Sequence, residues 1–194
     1  MKKKFIAIFS LVALLLLTAC STDKSNIESV DKSNLESTQS PYDSLGFDKF
    51  DFSATALDSI EYNSKYFENS KITMINFWGT FCPPCLKEMP DIQSLTEKYD
   101  KEDFQVLGII TDTFEGMDNN IDKAKEIIKD TNVNYLNIIP NENMYENYLK
   151  NSIQAVPLTI FVDSEGNLIG NVVVGARDAD YFSALIDELL EIQQ

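Results

Sequence analysis

Two cysteines separated by two prolines, Cys82-Pro83-Pro84-Cys85, carry the clearest chemistry in this chain. They follow an apolar run at residues 72–77 and open a segment that reads as a helix. Cys82 then falls at the helix N-terminus, where unpaired N–H groups and the helix dipole favour a thiolate. The spacing puts both sulfurs on one turn, so a disulfide opens and closes with little backbone movement. Pro83 and Pro84 are tolerated because the first turn needs no N–H there. The outer sulfur, Cys82, can attack a substrate disulfide, and the inner one, Cys85, can resolve the mixed disulfide. Two other readings compete. Zinc needs four ligands, and without a histidine or a second cysteine pair the set would have to be completed by Asp or Glu. A purely structural bridge would close a loop too small to gain much from chain entropy.

Composition removes other chemistry. None of the 194 residues is histidine. That excludes a Ser-His-Asp triad, a Cys-His pair, an HExxH zinc site and a histidine general base. The formal net charge is −15, and nucleic acid, which needs a basic face, is not an expected partner. An apolar content of 44% suffices for one packed domain with extensions.

The elements that must hold the cysteines alternate in type. Short strands are expected at 50–54 and 60–63, and a buried strand at 72–77. A helix follows over 83–99, with Pro90 inside it. Next come a strand at 104–110, an amphipathic helix at 119–130, a strand at 135–139 and a helix at 141–151. A strand at 158–163 and another at 168–174 pair across the turn Ser164-Glu165-Gly166-Asn167. A C-terminal amphipathic helix spans 178–192, with Asp178 as a candidate N-cap. The pattern is α/β with a mixed central sheet flanked by helices.

The N-terminus reads as an address. Lys2, Lys3 and Lys4 precede an uncharged stretch at 5–19 that fits a signal-peptide core. It ends in Leu17-Thr18-Ala19-Cys20, which resembles the lipobox of bacterial lipoproteins. That resemblance implies cleavage of 1–19 and lipidation of Cys20, with diacyl anchoring at the outer face of the cell membrane. A plain secretory signal or an uncleaved anchor is the alternative. Residues 20–45 read as a flexible tether containing the near-repeat DKSNIESV and DKSNLEST. Such a coil reaches roughly 25–30 Å from its anchor. Residues 46–194 form the expected domain. Losing 1–19 removes three lysines and no acid, leaving the mature chain at −18, of which −15 lies on the domain.

Asn76-Phe77-Trp78-Gly79-Thr80-Phe81-Cys82-Pro83-Pro84-Cys85 resembles the active-site segment of thioredoxin-fold proteins, in particular the membrane-tethered TlpA/ResA-like branch. Ala155-Val156-Pro157-Leu158-Thr159 resembles that family's cis-proline loop. The resemblance covers 46–194. It implies a thioredoxin-like fold with an N-terminal hairpin and a central insertion at 115–151. It also implies that Pro157 lies across from the sulfurs and that Val156 offers backbone groups to an extended substrate. The buried Asp of thioredoxins is replaced here by Asn76, which cannot titrate. The branch often carries a Glu three residues after the second cysteine, and Glu88 holds that place. Glu88 is therefore assigned to proton transfer or pKa tuning at Cys85, the alternative being a surface carboxylate paired with a lysine. Trp78 and Phe81 are expected to shield the site and give apolar contact, with Phe81 standing where thioredoxins usually have Trp.

The expected activity is extracytoplasmic thiol–disulfide exchange with no metal or organic cofactor. The resemblance implies reduction of disulfides or oxidised thiols in exported proteins, apocytochrome c or a methionine sulfoxide reductase among them. It also implies a CcdA/DsbD-like membrane thiol donor. A disulfide-forming oxidase of the same fold is the alternative within this chemistry. A thioredoxin-fold peroxidase is disfavoured: its PxxxTxxC pattern meets Ile75 and Gly79 when read onto Cys82. A non-catalytic binding lipoprotein is the remaining alternative.

Overall fold

The computed structural model describes residues 42–114 and 116–193. The signal segment, Cys20 and the tether as far as residue 41 lie outside the described residues. The elements run β1 (Ser53–Thr55), β2 (Glu61–Asn63), a 3-10 turn (Ser64–Asn69), β3 (Ile72–Trp78) and α1 (Pro83–Lys98). They continue with β4 (Phe104–Ile110), α2 (Asp118–Asp130), β5 (Leu136–Ile138), α3 (Glu142–Met144), a π-helical turn (Tyr145–Leu149) and α4 (Lys150–Ser152). β6 (Leu158–Asp163), β7 (Leu168–Val174) and α5 (Ala179–Ile192) complete the chain. Among the described residues no helix is long and apolar enough to cross a membrane.

Five strands form one mixed sheet in the order β5-β4-β3-β6-β7, and β1 and β2 form a separate antiparallel hairpin. β3 and β4 are central and apolar almost throughout, as strands covered on both faces must be. β4 and β5 run parallel to β3, β6 runs antiparallel to it, and β7 antiparallel to β6. The C-termini of β3, β4, β5 and β7 therefore share one end of the sheet with the start of β6. That end carries the cysteines.

The two faces of β3 enter different cores. Ile75 and Phe77 join an aromatic-rich cluster with Phe50, Phe52 and Phe67. Ile72, Met74 and Trp78 point to the other face, against α1, α2 and α5. Asp178 caps α5 through its side chain, accepting from the Tyr181 N–H.

Three expectations need amendment. The first strand begins at Ser53 rather than residue 50, because the N–H groups of Phe50, Asp51 and Phe52 donate to the Gly166 carbonyl, the Tyr148 hydroxyl and Ser64 Oγ instead of to a partner strand. The helix expected over 141–151 is interrupted by the π turn, a device with no signature in apolar periodicity. Residues 42–45, placed in the tether by composition, lie against the domain. Leu45 is buried, and the Tyr42 hydroxyl donates to the Gly170 carbonyl at 2.6 Å.

Candidate active site

β3 ends at Trp78, a tight turn follows, and α1 begins at Pro83 with Cys82 as its N-cap. Cys82 and Cys85 are joined in a disulfide. The Cys85 N–H donates to Cys82 Sγ at 3.3 Å, a side-chain cap in which sulfur takes the place of the usual oxygen. The same N–H would support a thiolate on Cys82 once the bridge opens. Cys85 is fully buried, whereas Cys82 retains slight exposure. The turn before Cys82 is clamped from β4's exit loop. Asp112 accepts from the Thr80 N–H at 2.9 Å and from its hydroxyl at 2.6 Å.

The Val156–Pro157 bond is cis. Cys82 Sγ lies 3.6 Å from the Val156 carbonyl oxygen, so the loop before β6 faces the outer sulfur. The Gly175 N–H donates to the Pro157 carbonyl at 2.8 Å and ties this loop to the end of β7.

Glu88 is buried on α1, at 2% exposure, and points into the sheet. No lysine pairs with it among the described residues, which removes the surface alternative. Asn76 Nδ2 donates to Glu88 Oε1 at 3.0 Å, and the Arg177 N–H donates to Oε2 at 3.2 Å. Burial pushes its pKa from the ordinary 4.5 to about 7, against the lowering pull of the Asn76 and Arg177 hydrogen bonds. A chain without histidine thus holds a group that exchanges a proton near neutrality, one helical turn from Cys85.

Below the cysteines a row of small and polar residues crosses the sheet. Thr159, Asn76, Gly108 and Asn137 are paired side by side on β6, β3, β4 and β5. Asn76 Nδ2 also donates to Thr159 Oγ1 at 3.1 Å, while Asn76 Oδ1 has no partner. Gly108 is required by a close approach: a Cβ there would sit 2.0 Å from Asn137 Oδ1. That space lets Trp78 Nε1 donate to Asn137 Oδ1 at 2.8 Å.

Trp78 meets one part of its expectation and not the other. It packs with Cys82, Cys85 and Met89 and so shields the pair from within, but it is fully buried and offers no surface to a substrate. Phe81 does present contact area, at 65% exposure. Pro83 and Pro84 lie in the first turn of α1, both exposed. Arg177, the only arginine, has no evident role in the sequence, yet its backbone reaches Glu88. Asp112 and Asn137 likewise carry no chemical signal in the sequence: Asn137 falls within the strand expected at 135–139 and Asp112 just past the one at 104–110. Thr159 stands in the cis-proline motif without a role of its own. Among the described residues no three Cys, Asp or Glu side chains are grouped so as to hold a metal ion.

The chain is similar to several known proteins. A thiol-disulfide oxidoreductase ResA of Bacillus thuringiensis subsp. konkukian is 31% identical over 97 residues, covering 44% of this chain and 56% of that protein. The thioredoxin-like protein YneN of Bacillus subtilis is 24% identical over 125 residues, covering 64% of this chain and 68% of YneN. The chain spans little more than half the length of the ResA relative it matches. Among solved structures, a thioredoxin-family thiol:disulfide interchange protein from Chlorobium tepidum superposes with a TM-score of 0.60 at 23% identity, over 72% of this chain and 93% of that one. The thioredoxin domain of a Bacteroides vulgatus thiol-disulfide oxidoreductase also gives 0.60, at 18% identity, over 75% and 97%. These likenesses show a thioredoxin-like fold. The profile of the AhpC/TSA family matches residues 47–172, most of the domain that carries this site, and the chain belongs to that family.

Proposed function

We propose that this protein is an extracytoplasmic thiol–disulfide oxidoreductase working on exported proteins, with Cys82 as nucleophile and Cys85 as resolving thiol. The observation that carries the reading is the Cys82–Cys85 pair at a helix N-terminus, with Cys82 facing the Val156 carbonyl and Glu88 buried beneath. In the reductive direction the Cys82 thiolate attacks one sulfur of a substrate disulfide. A mixed disulfide forms and the first substrate thiolate leaves. Glu88 accepts the Cys85 proton, directly or through water. The Cys85 thiolate attacks Cys82 Sγ, the second substrate thiolate leaves, and Cys82–Cys85 is oxidised. Two electrons pass from the dithiol to the substrate, and a membrane thiol donor of the CcdA/DsbD type restores the dithiol. Phe81, Pro83, Pro84, Val156 and Pro157 form the substrate contact. Cys20 supplies the lipid anchor and residues 20–41 the tether.

The test is capture. Cys85→Ala, expressed in the source organism, is expected to accumulate mixed disulfides on Cys82 whose partners identify the substrates. Absence of adducts, together with no reduction of a small disulfide by the purified domain, refutes the reading. Direction follows from the midpoint potential: a value near that of thioredoxin, about −270 mV, fits a reductant, and one near about −120 mV an oxidant.

A further inference from the structure

Seven large apolar side chains are exposed among the described residues: Ile60, Phe81, Met117, Tyr145, Val174, Tyr181 and Ile192. Five of them, Phe81, Met117, Tyr145, Val174 and Tyr181, lie at the end of the sheet that carries Cys82. This follows from the topology, because each ends or follows β3 or a strand running parallel to it, or sits in a helix that starts there. Exposed apolar side chains gathered at one end of the sheet fit an interaction surface better than single residues spread over the whole molecule.

At the same end of the sheet lies an open depression of about 460 Å³, a pocket lined by Phe114, Pro140, Asn141, Glu142 and Tyr145. Its size is that of a pocket for a side chain or small ligand. Its walls are set before anything binds. The Phe114 and Tyr145 rings meet edge to face at 5.5 Å. Asn141 accepts from the Met144 N–H at 3.0 Å and donates to the Ser53 carbonyl at 2.7 Å, fixing the start of α3 to the hairpin. The helical segment that bears Tyr145 ends with α4 at Ser152, and an irregular stretch then leads to Val156, whose carbonyl faces Cys82. Phe114 and Val156 pack on the same core cluster.

Charge selects the occupant. Among the described residues Glu142 is exposed and makes no ion pair, while its neighbour Glu146 is neutralised by Lys150 at 2.9 Å. No basic residue among the described ones lines the pocket. A second copy of this chain would bring another strongly acidic domain, and the tether segment is acidic as well. Both are repelled from an acidic rim.

We infer that the pocket formed by Phe114, Pro140 and Tyr145 is a side-chain subsite for the polypeptide attacked at Cys82, and that it takes an aromatic or large aliphatic residue flanked by a lysine or arginine. The inference rests on the redox reading above and names its substrate class, an unfolded segment in which the cysteine has apolar and basic neighbours.

The test uses synthetic peptides, each carrying one cysteine as a mixed disulfide with glutathione. Phe or Gly is placed in turn at each of three positions on either side, next to Lys or Glu. The reduced domain donates two electrons, its dithiol becomes a disulfide, and peptide thiol and glutathione are released. Second-order rate constants are read from Trp78 fluorescence and from released glutathione. At one or more positions the Phe-Lys peptide is expected to react at least tenfold faster than the Gly-Glu peptide. Tyr145→Ala should collapse the Phe/Gly ratio, and Glu142→Lys should invert the Lys/Glu ratio. Ratios are insensitive to a general loss of folded protein. Equal rates for all peptides, or ratios unchanged in both variants, overturn the subsite while leaving the redox reading standing. No glutathione release from any peptide overturns both.

Discussion

The two faces of β3 do different work with the same seven residues. On one face Ile75 and Phe77 meet an aromatic assembly in which Phe50 contacts Phe47, Phe52, Phe77 and Tyr148. On the other face Asn76 and Trp78 face α1 and join a polar row that reaches from Thr159 to Asn137, with Glu88 above it. Burying polar groups costs stability unless each is paired, and here Asn76 Oδ1 and the Tyr135 hydroxyl have no partner among the described residues. The apolar face holds the domain together. The polar face gives up some of that stability to place a titratable group under the sulfurs.

Substitutions on the two faces should therefore separate. The largest effect on activity belongs to Cys82→Ser, which should reduce turnover of a small disulfide to background while leaving the thermal transition in place. Phe50→Ala, on the other face, should cost about 3–5 kcal/mol in urea unfolding with little change in the midpoint potential of the surviving folded protein. A large potential shift there would break the separation. Glu88→Gln tests the polar face through pH. The folded carboxyl keeps its proton up to about pH 7, whereas the unfolded one releases it near 4.5. The wild-type contribution is thus full below about 4.5 and is lost as pH rises through 7. The stability of Glu88→Gln relative to wild type should improve by about 3 kcal/mol between pH 4 and pH 8. The same variant should lose any inflection near neutrality in the pH–rate profile. A parallel pair of stability curves would mean that Glu88 titrates as an ordinary surface acid. The smallest effect is Gly108→Ala, whose added Cβ displaces Asn137. It should destabilise by about 1–3 kcal/mol and shift Trp78 emission as its hydrogen bond is lost.

The contrast also explains what the sequence disclosed. The apolar runs of β3, β4 and β6 were plain because both faces of each are covered. The cysteine pair, Pro157 and Glu88 stood out because their chemistry is local or fixed by short spacing. Arg177 lies 89 positions from Glu88, Asn137 lies 59 from Trp78, and Asp112 lies 32 from Thr80. Those contacts arise only when the sheet is assembled. For Trp78, proximity to Cys82 in sequence predicts the packing against the sulfurs but not the complete burial that withholds the ring from a substrate. The π turn before α4 left no trace, since an added residue in one turn does not change composition.

Asn76 has one more effect on the site. An aspartate in its place would set two carboxyl groups within hydrogen-bond distance in a dry interior. Like charges so close titrate as a coupled dyad, with two apparent pKa values that belong to neither residue. The neutral amide keeps Glu88 solitary. The site then carries one exchangeable proton for each resolving thiol, and its charge state follows a single titration curve.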